Sequence, residues 1–431
     1  MKRLLVQVQL SNYDTKGKWI LECDSGYQMV FGRVRELLKH LPDVKIDVLL
    51  PKRSGFRTQP ESINPDLPWG DRLFVVEVNV VPNALATRYN FNVEETINAL
   101  KLRTSHYAYD AVYVNDPMHL RNLKAAFHLG GRQQPKFYVH SHFVDVPSCP
   151  KFPTDASLWL GQCEAAVKAD WNFWQCESAM REFEVEARKI YRDEVVDDIM
   201  KKSSPWDDGY SYTEITSPPN MSNVRFDPDV LNKLSSAGKK IIFVPNRIGG
   251  LGRSSDYTNC GKFMFEILPK LREARPLDND YVVIAGNPSQ KILNSELQEM
   301  CGKWGYVNLV PDALTRDEFK VVARCADVAV GLYDKDTYGG TAARECIELG
   351  CLPLWIDVNE YSKIAREASA SHLLAKPDFS DLHTKLSYIL DHIDEGRVCL
   401  SDVVHLRSVV RQKCSYESTT ARALKVMNSL A

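Results

Sequence analysis

A chain of 431 residues is long enough for two or three domains of ordinary size. Its 44% apolar and 26% charged side chains match a globular composition, which excludes a disordered, collagen-like or coiled-coil protein. With 54 basic residues against 56 acidic ones, the formal net charge of -2 offers no global cationic field for nucleic acid. The balance is local: residues 1–150 hold 19 Lys/Arg against 15 Asp/Glu, and residues 151–225 hold 9 against 14. No run approaches the ~18–20 apolar residues of a membrane span, and MKRLLVQVQLSNYD turns polar too early for a signal peptide. The expectation is a cytoplasmic protein without a membrane span. The eleven cysteines are scattered, odd in number and without a CxxC pair, so they are expected to be reduced thiols rather than a disulfide or zinc framework.

In chain order, short β-branched runs alternate with helical periods, the pattern of parallel sheets with crossover helices. The first half predicts strands at Leu4–Gln9, Ile46–Leu50, Leu73–Val81, Ala111–Val114 and Phe137–His140, with helices at Met29–His40 and Val93–Ser105. A long helix is expected over Leu160–Asp198, broken once near Ala169–Trp171; core packing explains most of the rings of Trp171, Phe173 and Trp174, with one or two open to lining an acceptor cleft. Residues 203–220, SSPWDDGYSYTEITSPPN, carry two Ser-Pro steps and a Gly and are expected to be a linker. Strands then follow at Ile241–Pro245, Tyr281–Ala285, Val307–Val310, Val328–Leu332 and Leu352–Ile356. The helices between them are expected at Lys262–Glu273, Ser295–Trp304, Arg316–Arg324, Gly340–Gly350 and Tyr361–Ala370, and the tail is helical over Leu382–Gly396 and Ser415–Leu430. This gives a 1–220 lobe, a 221–410 lobe, and a final helix in 411–431 that crosses back to the first lobe.

The segment most informative about chemistry begins at Asp336 and runs TYGGTAARECIELGCLPLW. A strand enters a Gly-Gly turn where a helix opens, so the amides of Gly339, Gly340 and Thr341 can seat phosphate oxygens. Glu345, one to two turns inside, can accept two hydrogen bonds from a vicinal diol such as a ribose; the alternative is an ordinary βαβ unit with a solvated carboxylate. Gly350 is placed to end the helix. After the 203–220 stretch, VPN-Arg247-IGGLG-Arg253-SS leaves a strand and reaches Lys262 at a helix start. Arginine forks and a lysine there can stabilise the charge of a departing diphosphate. In the first half, Tyr138-Val-His140-Ser-His142 follows a strand, with Asp145 three residues on, and Gly26 precedes a helix where its amide can add to a phosphate site. His140 and His142 are candidates for a sugar or acceptor hydroxyl, with Asp145 as the carboxylate beside them.

These residues carry a resemblance. The Glu345/Gly350 helix resembles the donor-site helix of GT-B glycosyltransferases, although Thr337 stands where that pattern has an acidic residue and Asp336 is one position off. The ending E-C-I-E-L-G-C-L-P-L-W, the Arg247–Arg253 loop and the Y-x-H-x-H run resemble bacteriophage DNA glycosyltransferases that act on 5-hydroxymethylpyrimidines; Ser141 replaces their Asp. The resemblance implies an α/β GT-B fold, two Rossmann-like lobes with parallel sheets facing a central cleft. It implies a transferase acting with retention, taking its sugar from a nucleotide sugar (a UDP-sugar first) as co-substrate, with no required cofactor. Gly26, Arg247, Arg253, Lys262, Asp336, Gly339, Gly340, Thr341 and Glu345 would bind the donor, and His140, His142 and Asp145 would be catalytic. The implied acceptor is duplex DNA with hydroxymethylated bases, in a host cytoplasm if phage-encoded. A lipid-linked or polysaccharide acceptor is the alternative within the class, and a catalytically degenerate sugar-nucleotide or DNA-binding module the alternative outside it. GxGxxG after the first strand, a Walker loop and GxSxG are all absent, which disfavours a dehydrogenase, a P-loop NTPase and an α/β-hydrolase. Three DxD matches, at Asp227, Asp278 and Asp334, are too common to assign a metal.

Overall fold

Segments such as VKIDVLL and AVYV are apolar on both faces, and such strands are stable only between two layers of helices. The computed structural model describes residues 2–10, 25–52, 72–82, 89–104, 108–142, 146–147, 156–248, 262–275, 280–288, 306–307, 314–333, 340–393 and 400–427. The chain divides into two units: unit 1 is Met1–Ser148, Thr154–Asp208 and Tyr416–Ala431, and unit 2 is mainly Gly209–Ser415.

Unit 1 holds β1 (Lys2–Gln7), β2 (Val44–Lys52), β3 (Leu73–Pro82), β4 (Tyr89–Phe91), β5 (Ala111–Val114), β6 (Lys136–Ser141), β7 (Trp171–Trp174) and β8 (Ser203–Pro205). They form one sheet in the order 4-3-2-1-5-6-7-8. Each neighbouring pair is parallel except β3 with β4. Unit 2 holds β9 (Lys240–Ile248), β10 (Tyr281–Pro288), β11 (Tyr306–Val307), β12 (Val328–Gly331), β13 (Leu352–Ile356) and β14 (Leu374–Ala375), all parallel, in the order 11-10-9-12-13-14. In each unit the order reverses beside the first strand, between β1 and β5 and between β9 and β12. At such a switch point the crossovers diverge and leave a crevice at the carboxyl ends of the strands. The helices include α1 (Ser25–His40), α2 (Tyr212–Thr216), α3 (Arg316–Cys325), α4 (Thr341–Glu348), α5 (Asn359–Glu367), α6 (Leu400–Cys414) and α7 (Tyr416–Val426).

Most of the expected elements within the described residues are present with shifted ends. Three differences matter. The segment expected as one broken helix is a helix over Ala156–Lys168, the strand β7, and two further helices, Glu177–Ala187 and Asp193–Lys201. Trp171, Phe173 and Trp174 suit a pleated surface, and cross-strand pairing with Tyr138, His140 and Ser141 of β6 overrides the surrounding helical period. Residues 203–220, expected as a linker, contain β8, the buried Trp206, Asp208, Tyr210 and Ser211, and α2 capped by Ser211. The Ser-Pro steps mark ends of elements there, and the division between units falls at Asp208/Gly209. Finally, α6 was not predicted: its periodicity is weak because Ser, His, Arg and Lys interrupt the apolar positions. The expected helix at Ser295–Trp304 lies outside the described residues, as do positions 308–310 of the expected strand.

The described cysteines 163, 176, 325, 346, 351 and 414 are free thiols, all but Cys325 buried. No helix among the described residues is long and apolar enough to cross a membrane.

The helix that carries Glu345 ends in a Schellman turn. Cys351 N–H donates to the Cys346 carbonyl at 3.0 Å and Gly350 N–H to Ile347 at 3.2 Å, with Gly350 at φ +107°. A side chain there is strained whatever the space around it. Gly350→Ala is expected to destabilise unit 2 by about 1–2 kcal/mol, read as a lower urea midpoint at unchanged slope.

Candidate functional site

In unit 2, β12 leads through Leu332 and Tyr333 towards Gly340, which precedes the first turn of α4. Two tyrosines set this turn: Tyr333 and Tyr361 of α5 stack at 4.9 Å with planes 8° apart. The Tyr361 hydroxyl donates to the Gly340 carbonyl. A Cβ on residue 340 would lie 2.2 Å from the Tyr333 ring, so only glycine lets the ring close over the helix start. Among the described residues no side chain caps α4, which leaves the amides of its first turn to other acceptors. Thr341, the first helical residue, is half-buried there.

Glu345 lies on the second turn of α4 and is 5% exposed. Its carboxylate meets Arg316 of α3 in a fork: Nη2 donates to Oε1 at 2.6 Å and Nη1 to Oε2 at 2.9 Å. Arg316 Nε donates to Glu214 Oε1 of α2 at 2.9 Å. Burial acts to lower the Arg316 pKa, but Glu345 and Glu214 outweigh it and hold the guanidinium above its ordinary value. Lys262, expected on phosphate, donates from Nζ to the Asp378 carbonyl at 2.8 Å and lies over the Phe379 ring at 5.3 Å. A π-helical turn, Phe263–Ile267, follows it directly.

Unit 1 builds a second cluster at the ends of β5, β6 and β8. Arg33 of α1 is fully buried. Its Nη1 donates to the Tyr113 hydroxyl at 2.7 Å; its Nη2 donates to Asp208 Oδ1 at 2.9 Å and to the carbonyls of Trp206 and Asp207 at 2.9 and 3.1 Å. Its guanidinium carbon sits 4.7 Å from the Trp206 ring centre. Backbone pairing aims Asp208: Trp206 N–H donates to Trp174 and Asp208 N–H to Gln175, at 2.8 and 3.0 Å, continuing the sheet past β8. His142 Nδ1 donates to Asp208 Oδ2 at 2.5 Å. His140 Nε2 donates to the Trp206 carbonyl at 3.1 Å and lies 3.4 Å from Asp208 Oδ1.

The electrostatics separate the two histidines. Burial, then the neighbouring Arg33 charge, pushes His140 well below the ordinary imidazole value, so it is neutral at pH 7. It is also wholly buried, which removes it from direct contact with a substrate, while the His142 side chain keeps 19% exposure. Burial acts to raise the Asp208 pKa, but His142, His140 and Arg33 together hold it at about 2. Burial raises the Tyr113 phenol to about 12. At the β1/β5 switch point, Gln7 Oε1 accepts from the amides of Asn115 and Asp116 at 3.0 and 3.3 Å. His119 Nε2 pairs with Gln9 Oε1 at 2.6 Å.

Of the remaining candidates, Gly26 is buried in the first turn of α1. Arg247 lies in β9, with its side chain outside the described residues. Asp145, Arg253, Asp336 and Gly339 also lie outside them. Among the described residues, no group of three or more His, Cys, Asp or Glu side chains stands where it could hold a metal ion.

The sequence matches no protein-family model, and no curated protein matches it. Solved structures do match over the full length. HepE of Anabaena in complex with UDP-glucose aligns over 100% of both chains at 11% identity and a TM-score of 0.62. A glycosyltransferase from Rickettsia africae aligns over 100% of this chain and 98% of its own at 12% identity and a TM-score of 0.64. An α,α-trehalose-phosphate synthase (UDP-forming) from Burkholderia xenovorans aligns over 100% of both at 12% identity and a TM-score of 0.61. The fold is GT-B.

On this GT-B chain, sequence reasoning missed Arg33, Asp208, Glu214 and Arg316. Asp208 and Glu214 lay in the supposed linker, and Arg316 looked like an ordinary first-turn residue of a helix. The carboxylate that meets His142 is Asp208, 66 positions away, and no local spacing announces it.

Asp208 also makes a stability prediction. Its folded pKa of about 2 lies below the ordinary carboxylate value of 3.8. Its contribution, about 2 kcal/mol, is therefore present in full above pH ~4 and lost as pH falls towards 2. Asp208→Asn is expected to flatten the pH dependence of the urea midpoint in that window. At neutral pH it is expected to cost about 3–5 kcal/mol, because Arg33 is left buried without its counter-charge.

Proposed function

We propose that the chain is a nucleotide-sugar-dependent glycosyltransferase that takes its sugar from a UDP-sugar and delivers it to a hydroxyl acceptor. The observation that carries this is Glu345, a buried carboxylate on the helix that opens at the Gly340 turn of a Rossmann-like unit, in a GT-B fold. In this reading the first-turn amides at Gly340 and Thr341 receive diphosphate oxygens, joined by Gly339, and Glu345 receives the ribose. Arg247, Arg253 and Lys262 supply cations for the departing diphosphate, Lys262 by leaving its Asp378 carbonyl. Gly26 and Asp336 keep their assignment to the donor. The bond from the sugar's anomeric carbon to the phosphate oxygen breaks, and a bond to the acceptor oxygen forms on the same face, with retention. The acceptor proton leaves with the diphosphate. His142, exposed enough to meet a hydroxyl and held by Asp208, orients a hydroxyl of the substrate, and Asp145 keeps its assignment to catalysis. His140 supports it from within the core.

For the acceptor, a carbohydrate hydroxyl has the better support. HepE was solved with UDP-glucose and with UDP and glucose, and the trehalose-phosphate synthase with glucose-6-phosphate. The His140-Ser-His142 resemblance to phage enzymes favours a second reading, a 5-hydroxymethylpyrimidine in duplex DNA. One screen separates them: UDP-, GDP- and ADP-sugars against oligosaccharides, a polyisoprenyl phosphate sugar, and duplex DNA with or without 5-hydroxymethylcytosine or 5-hydroxymethyluracil, read by product mass. Sugar gain on the saccharides supports the first reading, gain only on the modified bases the second. Nucleotide binding without any transfer identifies a degenerate module.

Glu345→Ala is expected to weaken UDP binding by about tenfold to a hundredfold with the circular dichroism unchanged, since two hydrogen bonds to a charged acceptor are lost. Unchanged affinity would remove Glu345 from the site. His142→Ala is expected to lower turnover while leaving UDP affinity within about twofold.

A further inference from the structure

Glu345 and Glu348 sit one helical turn apart on α4, and both are paired with an arginine. Their acceptor capacity is used very differently. Glu348 takes three donors: Tyr210 Oη at 2.7 Å and Arg411 Nε at 3.1 Å on Oε1, and Arg411 Nη2 at 2.7 Å on Oε2. Glu345 takes only the two bonds of the Arg316 fork. A carboxylate offers about four acceptor positions, so about half of those on a nearly buried group are unfilled among the described residues. Buried polar capacity of this kind is normally satisfied, and a ligand that donates two hydrogen bonds would satisfy it.

The chemistry of those open positions selects the kind of ligand group: an ionised carboxylate only accepts, so O–H or N–H donors fit it. Glu214, Arg316 and Glu345 carry two negative charges and one positive, and the buried Lys320 of α3 adds a cation beside Glu214. A fork fixes the carboxylate plane as well as neutralising it, because both guanidinium nitrogens must stay coplanar with both oxygens. Glu214 holds the third edge of the guanidinium through Nε, so Arg316 cannot rotate without breaking a bond on each side. Glu214 itself is placed by α2, whose N-terminus Ser211 caps through Glu214 N–H at 3.2 Å.

We propose that Arg316, locked by Glu214, is a positioning residue that presents the open side of the Glu345 carboxylate to the ribose 2′,3′-diol and so makes the chain select ribonucleotides over 2′-deoxyribonucleotides. This rests on the reading that Glu345 receives the ribose. Arg316 itself touches no substrate in this arrangement.

The test is calorimetric titration of the full chain with UDP and 2′-deoxy-UDP, for wild type, Arg316→Lys, Arg316→Gln and Glu214→Gln. The wild type is expected to prefer UDP by about tenfold or more, one charge-assisted hydrogen bond. Arg316→Gln is expected to bring the ratio close to one, Arg316→Lys to retain part of it, and Glu214→Gln to lower it several-fold. Binding of 2′-deoxy-UDP, which keeps only the 3′-hydroxyl, should fall less than that of UDP in all three, whereas a general loss of structure would lower both alike. If Arg316→Gln fails to fold, Glu214→Gln, which removes the charge of one partner of the guanidinium and leaves the fork in place, decides the matter. A wild-type ratio near one overturns the ribose reading itself. A high wild-type ratio that survives in every folded variant leaves that reading standing and overturns the role given to Arg316.

Discussion

A strand covered by helices on both faces disfavours polar side chains, and that constraint organises both units. β5, β12 and β13 are buried at every position. Polar groups therefore collect where the parallel strands end and the chain turns into its crossover, and the switch in strand order opens those ends. Gln7, Asn115 and His142 in unit 1, and the Gly340 turn in unit 2, all stand at or just beyond carboxyl ends. Chemistry is confined there because the rest of each sheet excludes it.

The two charge clusters at those ends are built on opposite principles. Arg33 is a buried cation whose two terminal nitrogens donate to Tyr113, two carbonyls and Asp208, and the arrangement pins β8 and α1 to the same point. Such a pair adds little net stability over a hydrophobic replacement, yet losing one partner is costly, so it acts chiefly to hold a unique geometry. His142 inherits that geometry through the second oxygen of Asp208. The Glu214–Arg316–Glu345 triad has more carboxylate than cation and leaves acceptor capacity unused.

The alternation of strand and helix was plain along the chain because period two and period 3.6 are local properties, as β5 and β13 illustrate with ends matching the expectation. The helix α4 was equally legible, since Gly340 before it and Gly350 after it are demanded by a ring contact and a positive φ. Elements of two or three residues, such as β4 and β14, are too short to display a period and exist only through their neighbours. β7 shows the limit in another way: WNFW sits in a helical context, and only pairing with β6 makes it a strand.

The site divides along the same line. Glu345 and Gly340 could be named from the sequence because a strand, a glycine turn and a helix lie within some twenty residues, and the backbone alone fixes their relation. The doubly wound order of each sheet, the Asp208–His142 and Asp208–Arg33 contacts and the Arg316 fork belong to the tertiary structure. Their partners are separated by 66, 175 and 29 positions, and Glu214 reaches Arg316 across 102. Local sequence determines which residues can turn, cap or pleat. Which charge meets which is decided only when packing brings distant segments into a medium too poor in water to leave any of them alone.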